Sequence, residues 1–211
     1  MSLQVNCEMI LTAHTTRSQL RADFQAGDAQ TVFLQGNLNK RQLVFEVLTG
    51  LTPPDSGEVV LDGKSLYQLP EPDLCRLRRD QIGALPQSGG LLPELRLLDQ
   101  VVLPLRLAGW SDHDIRSRLQ QQETGMLPLC DLYNKPKRCS LRKQVLAALW
   151  RGLVTQPRLI VINGLFDGFS ETDKAVFRAF LAALRREDSI LCYLSADPVP
   201  EKLPIDQMIT L

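Results

Sequence analysis

The chain has 211 residues, 44% of them hydrophobic, so it can bury a sizeable core in one large domain or two small ones. Its 24 lysines and arginines balance 24 aspartates and glutamates, and a neutral chain without a dense basic run gives no electrostatic reason to expect nucleic acid as a partner. The five cysteines are odd in number and scattered, which excludes a closely spaced zinc or redox pair and favours reduced thiols.

The first half of the chain is predicted to form strands separated by two helices. The predicted strands, in chain order, are "LQVNCEMILT", "QLRADF", "TVFL", "EVVLDG" and "IGALP". The first two alternate apolar and polar residues, which suggests an antiparallel layer near the N-terminus. One helix is predicted from Arg41 to Thr49 with Gly50 as its stop, and "PEPDLCRLRR" predicts the other.

The second half alternates helices with strands. Helices are predicted at "LLDQVVLPLRLAG", "SDHDIRSRLQQQ", "SLRKQVLAALWRGLV" and "ETDKAVFRAFLAALRRE". The segment "RLIVIN" is apolar almost throughout, as in a strand covered on both faces of a parallel sheet, and "SILCYLS" and "QMITL" predict two more strands. This alternation predicts an α/β domain with a mainly parallel sheet.

The stretch "QGNLNKRQL" lies between a buried strand and a helix, where a phosphate-binding loop sits in nucleotide-binding domains. Such a loop reads G-x-x-x-x-G-K-[S/T]. Its glycines let backbone N–H groups surround the phosphates, its lysine reaches the β and γ phosphates, and its hydroxyl holds Mg²⁺. Here the glycines are mostly missing, so the stretch is either a degenerate nucleotide site or an ordinary turn.

The block "LTGLTPPDSGEVVLDGKSL" resembles the ATP-binding subunits of ABC transporters, and the resemblance extends over nearly the whole chain. The segment "IGALPQSGGLLPELRLLDQVVLPLRLAG" looks like the glutamine loop of that family, with Gln87 kept. "SLRKQVLAALWRGLVTQPRLIVIN" is similar to the signature helix and its following strand, and "SILCYLSADP" to the switch strand. "QSGGLLPEL" and "LFDGFS" are most similar to the ATPase of Mla-type lipid transporters, which serve membrane-anchored MCE proteins.

The resemblance implies one ABC-type nucleotide-binding domain over residues 1–211. Its implied architecture is α/β, with a P-loop-like parallel core, an N-terminal antiparallel layer and a helical subdomain at about 88–140. Spacing from Gly50 then assigns the positions of the phosphate loop. Arg41 stands at the position of the lysine, and Gln42 stands where a hydroxyl holds the metal. Lys40 stands at the position of the preceding glycine. The first glycine is replaced by Gln35, or is Gly36 if the loop is one residue shorter.

The other functional positions of the family are also altered. Asn163 stands where an aspartate helps to hold Mg²⁺, and Gly164 where a glutamate activates water. The signature L-S-G-G-Q reads "CSLRK", of which only Ser140 survives, and Ala196 replaces the switch histidine. The aspartate of the dimer-contact loop is Ser170. Phosphoryl transfer depends on Mg²⁺, the lysine and the base acting together, so the resemblance implies no catalytic residue, no metal site, and lost binding of ATP and Mg²⁺.

Several alternatives remain open from the sequence. Lys40 and Arg41 are expected to be solvated charges, although they could hold an anion without Mg²⁺. Arg41 could also replace the lysine in an atypical active ATPase that a partner subunit completes. A third alternative is a soluble interaction module without a membrane partner.

The sequence-based expectation for function is an inactive ABC ATPase-like subunit in a structural or regulatory role. It would dock on an integral membrane transporter subunit, in lipid transport, and form a homodimer or a heterodimer with an active ABC ATPase. The resemblance implies a cytoplasmic, peripheral location on the inner face of the cytoplasmic membrane. The sequence shows no secretion signal and no apolar run of about 20 residues. The expected partner interface is formed by Gln87, Leu92, Pro93 and Leu95.

Overall fold

The structure, a computed structural model, describes residues 2–13, 16–125, 127–198 and 204–211. The N-terminal layer is a four-stranded antiparallel sheet in the order β2-β1-β4-β5. Its strands are β1 (Ser2–Ala13), β2 (Thr16–Gly27), β4 (Ser56–Leu61) and the short β5 (Lys64–Ser65). β1 and β2 pair from Ser2 opposite Gly27 to Ala13 opposite Thr16, so both strands are longer than predicted. The expected antiparallel layer is confirmed.

The second sheet has five strands in the order β6-β7-β8-β3-β9, and every neighbouring pair is parallel. The strands are β3 (Thr31–Gln35), β6 (Ile82–Leu85), β7 (Leu159–Asn163), β8 (Ile190–Ser195) and β9 (Gln207–Thr210). All five residues of β7 are buried, as its apolar sequence predicted for a central parallel strand. The carboxyl ends of these strands meet at one edge, which is where parallel sheets place their sites.

Six α-helices are found in the described part of the chain. They are α1 (Leu38–Leu48), α2 (Glu71–Gln81), α3 (Leu97–Leu107), α4 (Asp112–Gln121), α5 (Leu141–Leu153) and α6 (Glu171–Leu184). Three short 3-10 helices cover Leu66–Gln68, Leu129–Tyr133 and Pro136–Arg138. α1 begins three residues before the predicted Arg41, because the side chain of Asn37 caps the helix there.

Two hydrophobic clusters lie on opposite faces of the parallel sheet. Ile160 and Ile162 of β7 join the cluster that contains the apolar faces of α3, α5 and α6. Leu159 and Val161 point the other way, into the cluster shared with α1 and the antiparallel sheet. Because side chains alternate along a strand, one apolar strand supplies both cores. Between β6 and α5 the chain forms α3, α4 and two of the 3-10 helices. A separate helical subdomain at 88–140 stays a prediction.

No helix in the ranges that the structure covers is both long and apolar enough to cross a bilayer.

Candidate functional site

The position of the expected phosphate loop is taken by an ordinary helix start. Only Gly36 and Asn37 separate β3 from α1. The Oδ1 atom of Asn37 accepts a hydrogen bond from the backbone N–H of Lys40 at 3.1 Å, which caps the first turn. Gly36 does not take a positive φ, and its N–H donates to the carbonyl of Ser195 at 3.2 Å. The chain therefore goes from strand to helix without the wide glycine loop that surrounds a phosphate.

Arg41 extends from α1 into the protein, not into solvent. Its side chain is 3% exposed, and Nη1 lies 2.9 Å from Oδ2 of Asp167, whose side chain is 12% exposed. Nη1 is also 3.4 Å from Oδ1 of Asn163. The neighbouring Lys40 donates from Nζ to the backbone oxygen of Leu211 at 2.7 Å. The expectation that Lys40 and Arg41 are solvated charges is wrong, because both side chains have fixed protein partners.

Asp167 connects the elements around Arg41. It follows β7, and Oδ1 accepts a 2.6 Å hydrogen bond from the hydroxyl of Ser195 at the end of β8. The backbone N–H of Ala196 approaches Oδ2 at 3.5 Å. One carboxylate thus joins α1 to the carboxyl ends of two strands. Sequence analysis missed Asp167, although an acid in the loop after a buried parallel strand was an available signal.

Two amide side chains pair at the positions where members of the family hold Mg²⁺. Asn163 is fully buried, and its Nδ2 donates to Oε1 of Gln42 at 3.1 Å. Nε2 of Gln42 donates in turn to Oε1 of Glu46 at 2.8 Å. The two amides are joined by one hydrogen bond, have their other groups bonded to Glu46 and Arg41, and carry no charge, whereas Mg²⁺ prefers carboxylate and hydroxyl oxygens. No group of three or more His, Cys, Asp or Glu side chains that could hold a metal lies within the described ranges.

A side chain at Gly164 would overlap the observed positions of Arg41 and Asp167. The φ of Gly164 is +59°, and a Cβ atom there would lie 2.4 Å from Nη1 of Arg41 and 2.8 Å from Oδ2 of Asp167. Its N–H donates to the carbonyl of Leu194 at 2.8 Å. A glutamate at this position is therefore incompatible with the observed placement of Arg41. The ion pair occupies the space that the missing side chain of Gly164 leaves open.

The remaining family positions are on the surface. Ser140 caps α5, accepting from the N–H of Lys143 at 3.4 Å, and the next residue, Leu141, is 68% exposed. Ser170 caps α6 in the same way, with the N–H of Asp173 at 3.2 Å. Ala196 is exposed. The structure thus joins Arg41, Asn163 and Gln42 by hydrogen bonds, with Gly164 beside Arg41. Ala196 reaches this cluster through Asp167, and Ser140 bonds within its own helix.

An ion pair between a largely buried lysine and an exposed aspartate lies next to this cluster. Nζ of Lys174 in α6 is 3.0 Å from Oδ2 of Asp197, whose side chain is 41% exposed. The hydrogen bond from Lys174 holds the pKa of Asp197 below its usual range. Asp197 is therefore ionised at neutral pH, and its side chain is more exposed to solvent than that of Asp167.

The expected partner interface lies in the segment after β6. Gln87 and Pro93 are exposed, Leu92 is 49% exposed, and Leu95 is half-buried. The buried side chain of Gln100 holds this segment. Its Oε1 accepts from the N–H of Leu92 at 2.6 Å, and its Nε2 donates to the carbonyls of Leu92 at 3.0 Å and Leu95 at 3.2 Å. The apolar side chain of Leu92 is thus presented to solvent on a fixed backbone.

A shallow groove that the sequence analysis missed lies between α2, β6, α3 and α5. Its volume is about 370 Å³, and apolar side chains such as Ile82, Leu103 and Leu107 line it beside Arg79 and Arg151. Arg151 donates to the carbonyls of Gly90 at 2.6 Å and Gly89 at 2.7 Å. Arg151 therefore lines the groove and also holds the backbone of the segment that carries the expected interface.

Replacing Gln100 with leucine is expected to loosen this segment. The change removes three hydrogen bonds and should cost about 1–3 kcal/mol, because buried backbone groups lose their partner. Hydrogen exchange of the Leu92 amide should become faster. The matched control is Gln122→Leu, since buried Gln122 bonds to Trp150 and Leu153 instead. Unchanged exchange at Leu92 in the Gln100 variant would contradict the role given to Gln100.

Comparisons with known proteins identify the family of the chain. The family model described as "ABC transporter" matches residues 43–163, starting one residue after Gln42 and ending on Asn163. The chain belongs to the ABC transporter family of ATP-binding domains. It is 28% identical over 194 residues to the molybdate/tungstate import ATP-binding protein WtpC of Archaeoglobus fulgidus, covering 92% of this chain and 78% of that protein.

A second relative and a solved structure extend the comparison. The lipoprotein-releasing system ATP-binding protein LolD of Legionella pneumophila is 28% identical over 160 residues, covering 74% of this chain and 70% of that protein. The dimeric post-hydrolysis structure of the ATP-binding cassette MJ0796, bound to ADP and Pi, superposes with a TM-score of 0.78. At 21% identity, with 93% of this chain and 88% of that chain covered, this match confirms the expected ABC-type fold.

Proposed function

We propose that this chain is an ABC ATPase-like subunit without ATPase activity, which serves a membrane transporter in a structural or regulatory role. The observation that carries the proposal is the buried ion pair between Arg41 and Asp167. Recognition of a phosphate needs a free cation at this position. Here the positive charge is already neutralised inside the chain, so a nucleotide would have to separate a buried pair before it could bind.

The surroundings of the ion pair support the same proposal. The amides of Gln42 and Asn163 bond to each other, and a base at position 164 would overlap Arg41. Tight binding of Mg-ATP would therefore require several side chains to rearrange together. We accordingly assign no catalytic residue and no metal or ATP cofactor to this chain. Gln35, Lys40, Ser140 and Ala196 are proposed remnants of the ancestral nucleotide site.

The proposed partner is an integral membrane transporter subunit. The names of the relatives concern import of molybdate or tungstate and release of lipoproteins, which are both membrane processes. We propose the surface formed by Gln87, Leu92, Pro93 and Leu95, with the adjoining groove, as the site of docking. The proposed location of the chain is therefore the inner face of the cytoplasmic membrane. The MJ0796 cassette is a dimer, which supports pairing of this chain with itself or with an active ABC ATPase.

A lipid substrate is the finer part of the proposal. It rests on the similarity of "QSGGLLPEL" and "LFDGFS" to the ATPase of Mla-type transporters. Asp167, the partner of Arg41, lies within the second of these segments. Co-purification of the chain with a membrane subunit of such a transporter would support this part, whereas a stable free monomer that captures no membrane subunit would favour a soluble interaction module.

Titration of Mg-ATP into the purified protein tests the loss of nucleotide binding. We expect no magnesium-dependent binding up to about millimolar nucleotide, and no hydrolysis above background. An active ABC ATPase measured alongside serves as the positive control. Magnesium-dependent binding in the micromolar range would contradict the proposal. Hydrolysis in a transporter complex that falls on Arg41→Ala, but not on Arg116→Ala at an exposed site, would favour an atypical active ATPase.

A further inference from the structure

The neutral overall charge conceals an uneven distribution along the chain. From Leu132 to Phe166 the sequence contains seven basic residues and no acidic residue. They are Lys135, Lys137, Arg138, Arg142, Lys143, Arg151 and Arg158. Five of them lie between the second 3-10 helix and the first turn of α5. This local excess of positive charge in an otherwise balanced chain is a feature that the ATPase-like site does not explain.

A small pocket lies at the start of this basic segment. Its volume is about 280 Å³, and its lining is formed by Tyr133, Asn134, Lys135, Lys137 and Arg138. The lining offers one phenol, one amide, two ammonium groups and one guanidinium, and it contains no carboxylate. All five side chains can donate hydrogen bonds. The chemistry of the lining is therefore that of an anion site.

The cations of this pocket are largely unneutralised. Lys137 and Arg138 are exposed, and neither forms an ion pair within the part of the chain that the structure describes. Lys135 approaches Glu94 only at 3.5 Å, and the Glu94 side chain is 85% exposed. The charges of Arg142 and Lys143 beyond the pocket are already paired with Asp173 and Asp131. The free positive charge is thus concentrated at the pocket itself.

The backbone that carries these cations is fixed. Pro136 is buried, and the N–H of Arg138 donates to the carbonyl of Lys135 at 2.9 Å. The carbonyl of Asn134 accepts a 3.0 Å hydrogen bond from the N–H of Leu97 at the start of α3. An anion that binds here would need to order only side chains, which lowers the entropic cost of binding.

We propose that the pocket formed by Tyr133, Asn134, Lys135, Lys137 and Arg138 binds a phosphate group. A guanidinium presents a planar pair of donors that matches phosphate oxygens, and the two ammonium groups add point charges for the remaining oxygens. The phosphate could belong to a soluble phosphate compound or to a phospholipid headgroup, which share this chemistry. The site is separate from the cluster around Arg41 and does not depend on the proposed loss of ATPase activity.

Two binding measurements on the full chain test this site. In one, inorganic phosphate and glycerol 3-phosphate are titrated calorimetrically; in the other, flotation is measured with vesicles of phosphatidic acid in phosphatidylcholine and with phosphatidylcholine alone. We expect saturable binding that weakens with added salt. Binding to the soluble compounds assigns a soluble ligand, and binding to anionic vesicles alone assigns a headgroup. Either result supports the site, whereas no binding in both measurements overturns it.

Substitutions locate the binding to the pocket. Lys137→Gln with Arg138→Gln should weaken binding by about tenfold or more, since two charge-assisted contacts are lost. The matched control is Lys64→Gln with Arg116→Gln, which removes the same charge from two exposed sites elsewhere and should change binding by less than about twofold. Both variants should keep the melting temperature of the unchanged protein, because all four side chains are exposed. Phosphate binding that persists in the pocket variant would overturn this site without bearing on the nucleotide test.

Discussion

Gly164→Ala is expected to lower the free energy of unfolding by about 2–4 kcal/mol, a backbone penalty and a steric penalty together. The backbone term arises because Gly164 has a φ of +59°, where any Cβ atom is strained. The steric term arises because that Cβ atom would lie 2.4 Å from Nη1 of Arg41. Chemical denaturation, followed by fluorescence of the two tryptophans, measures the sum.

A neighbouring glycine separates these two terms. Gly168 has a φ of +77°, and a Cβ atom there would meet nothing within 4 Å. Gly168→Ala should therefore cost only the backbone term of about 1–2 kcal/mol. Equal losses in the two variants would show that Arg41 does not occupy the space beside Gly164. In an Arg41→Met background the cost of Gly164→Ala should decrease, since the shorter apolar side chain can move away.

Asp167→Asn is expected to cost about 3–5 kcal/mol, because it leaves the charge of Arg41 buried without its counter-ion. The substitution preserves the shape of the side chain and can still accept a hydrogen bond from Ser195. The loss therefore reports on charge rather than packing. Thermal and chemical unfolding of the variant and the unchanged protein provide the measurement.

The control for this prediction is Asp197→Asn. Asp197 also pairs with a cation, Lys174, but its side chain is 41% exposed, compared with 12% for Asp167. Ion pairs that are accessible to solvent contribute less than buried ones, with about 0–1 kcal/mol for fully exposed pairs, so this variant should lose clearly less stability than Asp167→Asn. Comparable losses for both asparagine variants would mean that burial of the pair with Arg41 has little energetic effect.

The sequence predicted the fold well because its signals are local. The apolar run of β7 and the helical periodicity of α5 and α6 each depend on a few consecutive residues, and short-range patterns are visible without a structure. The predicted start of α1 was too far along the chain. Asn37 is a common capping residue, and its side chain accepts from the N–H of Lys40, three residues later. That signal was missed because the stretch was compared with a phosphate loop.

The candidate site was only half predictable. Arg41, Gln42, Asn163 and Gly164 were found by their spacing along the chain, and the structure brings them into contact. The ion pair itself was not foreseen, because Asp167 lies 126 residues from Arg41 and nothing near either residue indicates the other. The direction of a long side chain at a helix start depends on what fills the space around it. The sequence "KRQ" is equally compatible with an arginine side chain in solvent and with one paired to a buried carboxylate.

The pairing of Arg41 with Asp167 also bears on how the chain responds to its surroundings. A carboxylate attached to the same polypeptide cannot diffuse away, and it competes with any dissolved anion at a high effective concentration. Under the proposed function, the contact between Arg41 and Asp167 would therefore change little with the concentration of ATP or ADP. In an assembly with an active ATPase, we expect Arg41 to keep Asp167 as its partner while the active subunit binds and releases nucleotide.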